Sequence, residues 1–218
     1  MCLFILSSII PEINYLCKLA FRKMDIEIID NERFSEVWVD GERWKEVHRR
    51  LYKKHLKEIL RTQTKKELSD LLLEIDVKIA RAIVYKALAL RGHLKAELKK
   101  KLGAVKITPQ AIEKILAECE ALGYLDDTRE GKLFIQREKR RGLGPQIIAY
   151  KLKQKAPELA DMVSLEVSEK EQIAQIKKWI EKKTKRSDPQ DLKVKQRLYR
   201  FLRGKGFDDS LIRRAIAD

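Results

Sequence analysis

Two carboxylates side by side, Asp126 and Asp127, are the residues of this sequence whose types most suggest chemistry. A pair of acids can hold a metal or share a proton, as nuclease and glycosidase reactions require. Adjacent residues at a helix entry point in different directions, however, and no third acid or histidine stands at a supporting spacing. The pair follows the apolar Tyr124-Leu125 and precedes Thr128 to Arg141, where Leu133, Phe134 and Ile135 are surrounded by charge. A helix begins there. An aspartate at its N-cap accepts a hydrogen bond from a backbone N–H with no partner inside the helix, and Asp127 followed by Glu130 has the spacing of a capping box.

The run Gly142-Leu143-Gly144-Pro145 suggests a phosphate-cradling loop, but such a loop needs a preceding strand and a longer glycine pattern. A lysine- and arginine-rich helix precedes it instead. Gly142 is expected as the left-handed residue that ends that helix, with Pro145 in the first turn of the next. The three cysteines, Cys2, Cys17 and Cys119, have no paired spacing, and His48, His55 and His93 are not grouped with them, so neither a disulfide framework nor a metal site follows. His48 and His55, seven apart and flanked by cations, read as a solvated helical face. No catalytic residue, metal or cofactor is expected.

These residues must be positioned by the 218-residue chain, whose 44% hydrophobic content is ordinary for a soluble folded protein. Its charge is not: 48 Lys+Arg against 33 Asp+Glu gives +15, a field that favours a polyanion or a strongly acidic protein. The opening MCLFILSSII is apolar only to Ile10, too short to span a bilayer, and it lacks the basic start and cleavage site of a secretory signal. Residues 1–23 are expected to be an appended leader outside the fold, with Met24 as the working start, and the location to be cytoplasmic.

From Met24 the pattern alternates. Ile26 and Ile28 oppose Asp25 and Glu27, and Val37 and Val39 recur at period two before Asp40-Gly41, a hairpin turn signal. This predicts an antiparallel sheet of two or three strands to about Glu46, with Trp38 and Trp44 as packing anchors; the rival assignment puts Trp44, Val47 and Leu51 in a helix. A basic helix from His48 to about Arg61 and a polar connector, Thr62 to Lys66, follow.

The remainder reads helical and repeats. Leu94, Leu98 and Leu102 form an i, i+4, i+8 stripe that returns fifty residues later as Gly144, Ile148 and Leu152, and again as Val194, Leu198 and Leu202. Ile112, Met162 and Ile212 also align, as do Ile107, Pro157 and Phe207. A fixed period of this length indicates stacked units, each too small to bury its own apolar face. The predicted fold is mainly α, tandem three-helix repeats forming an elongated solenoid with a small N-terminal antiparallel hairpin or sheet. The expected boundaries are 24–73 for the hairpin plus helix, then repeats at 74–125, 126–166 and 167–218. Thr108 and Pro109 open one helix, Ser168 and Glu171 form a capping box, Asp188 caps another helix, and Asp208 to Ala217 close the chain. Pro157 makes the second copy the least regular.

The middle helices are the most cationic parts. Lys95, Lys99, Lys100 and Lys101 flank the first stripe, Lys151, Lys153 and Lys155 the second, and Lys193, Lys195, Arg197, Arg200 and Arg203 the third; Arg137, Lys139, Arg140 and Arg141 add a dense patch, and Lys205 is a further contact candidate. Such periodic charge suits an extended anionic partner met through phosphate contacts. No base-reading element is visible, and Phe134, Tyr150 and Tyr199 read as packing residues rather than stacking platforms.

The runs YLDDTREG at Tyr124 to Gly131, KRRGLGPQIIAYKLKQK, HLKAELKKKLG at His93 to Gly103 and the C-terminal YRFLRGKGFDDSLIRRAI together resemble the bacterial RecX family, regulators of the RecA recombinase. The resemblance covers roughly residues 80–217. The sequence departs from the family pattern at Glu130-Gly131 and at Lys155-Ala156-Pro157. The resemblance implies a regulator without catalytic residues, mostly an inhibitor, built of three-helix repeats that lie in the groove of the RecA filament on DNA. The contact residues named above are inferred from charge. A monomer with no membrane partner is expected, touching the RecA filament and single- or double-stranded DNA. The alternatives are an architectural DNA-binding protein acting without RecA and, further off, a nuclease using Asp126 and Asp127.

Overall fold

A computed structural model of the chain describes residues 24–185 and 191–217. The leader, Cys2, Cys17 and the cap expected at Asp188 lie outside the described residues.

Three antiparallel strands come first, β1 (Ile26–Asp30), β2 (Phe34–Val39) and β3 (Glu42–His48), in the order β1-β2-β3. Ile26 pairs with Val39, Ile28 with Val37, and Val37 with Lys45. Asp40 and Gly41 take positive φ, 52° and 79°, as the two-residue hairpin turn requires. Ser35, Val37, Val39 and Val47 are buried, whereas Trp38 stands on the other face of β2 and Trp44 is exposed beneath the Lys65 ammonium. The anchors of the sheet are therefore its valines, whose branched side chains fit a half-buried pleat, and not the two tryptophans.

Trp44 and Val47 are strand residues. The basic helix expected over 48–61 is broken into α1 (Arg49–Tyr52), a 3-10 turn (Lys53–His55) and α2 (Leu56–Ile59). Helix α1 has no side-chain cap and no acid in its first turn, only Arg49 and Arg50, whose charge opposes the helix dipole. His48 thus ends a strand and His55 sits in the turn with its side chain only 14% exposed, so the two do not share a solvated helical face.

Helix α3 (Lys65–Leu90) runs 26 residues without interruption, and position 74 lies inside it. It is followed by α4 (Lys95–Gly103) and α5 (Pro109–Ala121), then α6 (Asp127–Arg140), α7 (Pro145–Lys153) and α8 (Met162–Glu166), and finally α9 (Glu169–Thr184), α10 (Leu192–Gly204) and α11 (Asp209–Ala217). The fold is mostly helical, a helical-repeat architecture with a small antiparallel sheet. Two compact units divide the chain: one holds residues up to 83 and 101–115, the other 84–100 and 116 onward.

Within the first unit Asp76 is fully buried. It accepts from the Lys45 ammonium at 2.5 Å and from the Thr108 N–H at 2.8 Å. Thr108 precedes Pro109 as expected, but its own hydroxyl makes no hydrogen bond; Asp76 serves the backbone there instead.

The second unit carries two apolar clusters. Phe134, Ile135, Ile148, Leu152, Ala156 and Val163 form one with Leu94; Ile176, Leu202, Phe207, Leu211 and Ile212 form the other. The stripes of the middle helices are buried at Leu94, Leu98, Leu102, Ile148, Leu152, Val194, Leu198 and Leu202. Ser168 and Glu171 make the full capping box, and Gly142 ends α6 with φ of 76°.

The irregularity of the second copy has a backbone cause. Lys106 and Gly206 take positive φ after their middle helices, and the next N–H, of Ile107 or Phe207, reaches back to the carbonyl of Leu102 or Leu202. Pro157 occupies the same place and has no N–H to donate. Ala156 keeps a negative φ of -150°, its N–H donates to the Leu152 carbonyl instead, and the third helix shrinks to five residues.

The turn after α6 meets the end of α10 closely. Gly144 N–H donates to the Lys205 carbonyl at 2.8 Å, Gln146 N–H to Gly206 at 3.1 Å, and the Trp179 indole N–H to the Gly142 carbonyl at 2.9 Å. A Cβ on Gly144 would lie 2.3 Å from the Gly206 carbonyl oxygen.

Candidate functional site

The aspartates that opened the sequence analysis both serve backbone. Asp126, not Asp127, is the N-cap of α6, accepting from Arg129 N–H at 2.9 Å. Asp127 reaches out of its own helix to accept from the Lys95 N–H at 2.7 Å, at the first turn of α4. Burial holds its carboxyl above the ordinary aspartate range, more than that N–H pulls it down. Glu130 is buried over Gly92 and does not close the expected capping box. Among the described residues no group of three or more His, Cys, Asp and Glu is placed to hold a metal ion.

The cations are sorted by the fold into separate places. Arg137 and Arg141 of the α6 end, with Lys151 of α7 and Lys155 just beyond it, line one cleft of about 510 Å³ in the second unit. Arg91, which charge patterning along the middle helices did not single out, completes the set. The cleft also contains carboxylates. Glu138, its side chain only 4% exposed, accepts from Arg141 and from Lys151, each at 2.6 Å. Glu97 holds Lys155, Arg91 at 3.4 Å and the His93 ring at 3.1 Å. Burial alone would raise the Glu138 carboxyl, but the hydrogen bonds and charges of Lys151 and Arg141 outweigh it and set it below the ordinary glutamate range. Glu97 is held low in the same way, burial being overcome by Lys155, His93 and Arg91.

Lys195 and Arg200 of α10 meet Arg213, Tyr199 and Ile216 around a second cavity of about 490 Å³. Lys139 and Arg140 line a third of about 530 Å³ with Lys178 and Glu171; Lys139 is itself held by Glu171 at 2.8 Å and the Glu166 carbonyl at 3.0 Å. The remaining expected contact residues do not join these groups. Lys95 pairs with Glu120 at 2.8 Å, Lys99, Lys100, Lys101, Lys153 and Arg197 are exposed, Arg203 faces Asp209 at 3.8 Å, and Lys205 lies 5.2 Å from the centre of the Trp179 ring and 5.5 Å from that of Phe201.

Of the three aromatics read as packing residues, Phe134 is buried and Tyr199 packs on the last apolar cluster, but Tyr150 is 64% exposed on the wall of the first cleft. Its neighbours on α7, Ile148 and Leu152, take the buried face and turn it outward.

The architecture and its clefts define a basic helical-repeat protein in which some of the cations are gathered around the partly buried carboxylates Glu138 and Glu97. Residues 169–216 match the family model for the third three-helix domain of RecX. A 78-residue stretch is 42% identical to the regulatory protein RecX of Cronobacter sakazakii, covering 31% of this chain and 47% of that protein. A 93-residue stretch is 36% identical to the regulatory protein RecX of an Escherichia coli O1:K1 strain, covering 38% and 52%. The chain thus spans about half the length of these curated relatives. A crystal structure of a regulatory protein RecX superposes with a TM-score of 0.60 at 19% identity over 90% of this chain and 99% of its own, and RecX from Lactobacillus salivarius gives 0.60 at 18% over 65% and 95%, so the fold is shared. The third three-helix unit of this chain is thus similar to that of RecX, and the fold as a whole is that of the two RecX structures. No helix among the described residues is long and apolar enough to cross a membrane.

Proposed function

We propose that the protein is a regulator, mostly an inhibitor, of the RecA recombinase, acting in DNA repair and recombination by binding along the groove of the RecA filament on DNA. The observation that carries this reading is the similarity of the chain to proteins named regulatory protein RecX, in its third domain and in curated relatives. The clefts supply the physics. Several cations presented by successive helices meet acidic protein surface and nearby phosphates together, and weak contacts add through effective concentration. On this reading the protein works as a cytoplasmic monomer, without cofactor and without catalysing a reaction of its own.

The test is the single-stranded-DNA-dependent ATPase rate of the cognate RecA as this protein is titrated in, beside a variant with Arg137, Lys139, Arg140 and Arg141 changed to alanine. The rate is expected to fall at sub-stoichiometric ratios and the variant to act more weakly. No change at saturation would move the reading to the second one, an architectural DNA-binding protein acting without RecA, which the net charge of +15 favours. That reading predicts tight duplex binding with a steep salt dependence.

A further inference from the structure

We propose that the cleft between α6, α7 and the start of α4 is a single-stranded nucleic-acid site, in which phosphates displace Glu138 from Arg141 and Lys151 while a base stacks on Tyr150. The proposal rests on the phosphate-contact part of the reading above and adds to it a place, a strand preference and an aromatic residue.

Three observations carry it. First, Arg91, Arg137, Arg141, Lys151 and Lys155 converge on one cavity of about 510 Å³, large enough for a phosphate and its sugar. Second, the Glu138 carboxylate lies beneath Arg141 and Lys151, while Glu97, which holds Arg91 and Lys155, and Glu130 also line the cleft. Glu138 is nearly buried, whereas Arg141 is 71% exposed above it, so the ion pair holds the guanidinium in place with its outer N–H groups turned to solvent. An arginine so held presents a planar fork to a phosphate with little loss of side-chain freedom. Glu138 is at once the support of these cations and the competitor that an incoming phosphate must overcome. Third, the Tyr150 ring is exposed on the same wall, one residue from Lys151. A cationic groove with an aromatic platform at its edge is the arrangement by which unpaired bases are bound without sequence preference, because every base offers a π face. A paired duplex hides those faces, and an acidic peptide has none, so the ring distinguishes the three anions.

The experiment is fluorescence anisotropy of the full chain with a labelled oligothymidylate and with a duplex of equal length, and poly-glutamate as competitor. Tyr150→Ala is expected to weaken single-strand binding about tenfold and duplex binding little, with Tyr150→Phe at the wild-type affinity. Glu138→Gln is expected to tighten single-strand binding about fivefold, and more than Glu74→Gln, an equal charge change at an exposed α3 residue outside the cleft. Because Tyr150 is exposed, its variants report even if Glu138→Gln folds poorly. Wild-type affinity in Tyr150→Ala, equal losses on single strand and duplex, or displacement by poly-glutamate as effective as by unlabelled oligothymidylate would each overturn the site. Any of these with the RecA ATPase effect intact leaves the filament reading standing. Selective loss on the single strand in Tyr150→Ala supports the site whether or not RecA responds.

Discussion

At the scale of single residues, the buried Asp76 is the most exposed to damage by substitution. It is fully buried with one ammonium and one backbone N–H as partners, and burial lowers the Lys45 pKa more than the attraction of Asp76 raises it. Asp76→Ala leaves that ammonium without its counter-ion and should cost about 3–5 kcal/mol, measured by chemical denaturation; Lys45→Met with Asp76→Leu should recover much of it. Glu138 and Glu97 make a pH prediction. Their carboxyls are lower in the folded state than in the unfolded chain, so the unfolded chain binds more protons between the two values and stability rises with pH across that window. The stabilisation is complete above the ordinary glutamate range and disappears as pH falls through the lowered folded values; Glu138→Gln should flatten an acid denaturation profile. Of the cations of the cleft, Arg137, Arg141, Lys151 and Lys155 were legible as charged patches, and Arg91 was not. Their pairing was legible only for Glu138 with Arg141, three residues apart on one helix, since the Lys151 and Lys155 partners lie 13 and 58 residues away in sequence and meet only through tertiary packing.

At the scale of elements, punctuation residues proved the most readable. Ser168 with Glu171, Gly142 and Pro145 all act through local backbone geometry, which sequence encodes directly. The cap of α6 was misplaced by one residue because both aspartates satisfy the local rule, and the choice is made by Asp127 reaching the distant Lys95 N–H. The helix expected over 48–61 is interrupted by the 3-10 turn at Lys53–His55, and its first piece lacks both a side-chain cap and an acid in its first turn. Tyr150 was misread because an apolar stripe does not say which aromatic beside it faces outward. The junction of α7 with the end of α10 makes a prediction of its own. In Gly144→Ala the new Cβ meets backbone at Gly206 and cannot be relieved by a side-chain rotation, so a loss of about 1–3 kcal/mol is expected in thermal or denaturant unfolding. Ala at Gly103, where a Cβ meets nothing, is the matching control.

At the scale of the whole molecule, the fifty-residue period and the charge of +15 were the informative quantities, because each sums over many side chains and tolerates errors at any one. The period indicated helical repeats, and the charge raised the expectation of an anionic partner. They could not indicate where the cations gather, which depends on how α6 and α7 bring Arg137, Arg141, Lys151 and Lys155 to one cleft.

The bond from the Trp179 indole to the Gly142 carbonyl turns the second unit into its own optical probe. Of the three tryptophans, Trp38 and Trp44 belong to the sheet, while Trp179 stands edge-on to Phe201, 5.2 Å between centres, and ties the end of α6 to α9. In a chain whose Trp38 and Trp44 are replaced by phenylalanine, separation of the last two repeats would admit water to this indole and shift its emission to the red. A ligand or filament that pries them apart could then be followed without any attached dye.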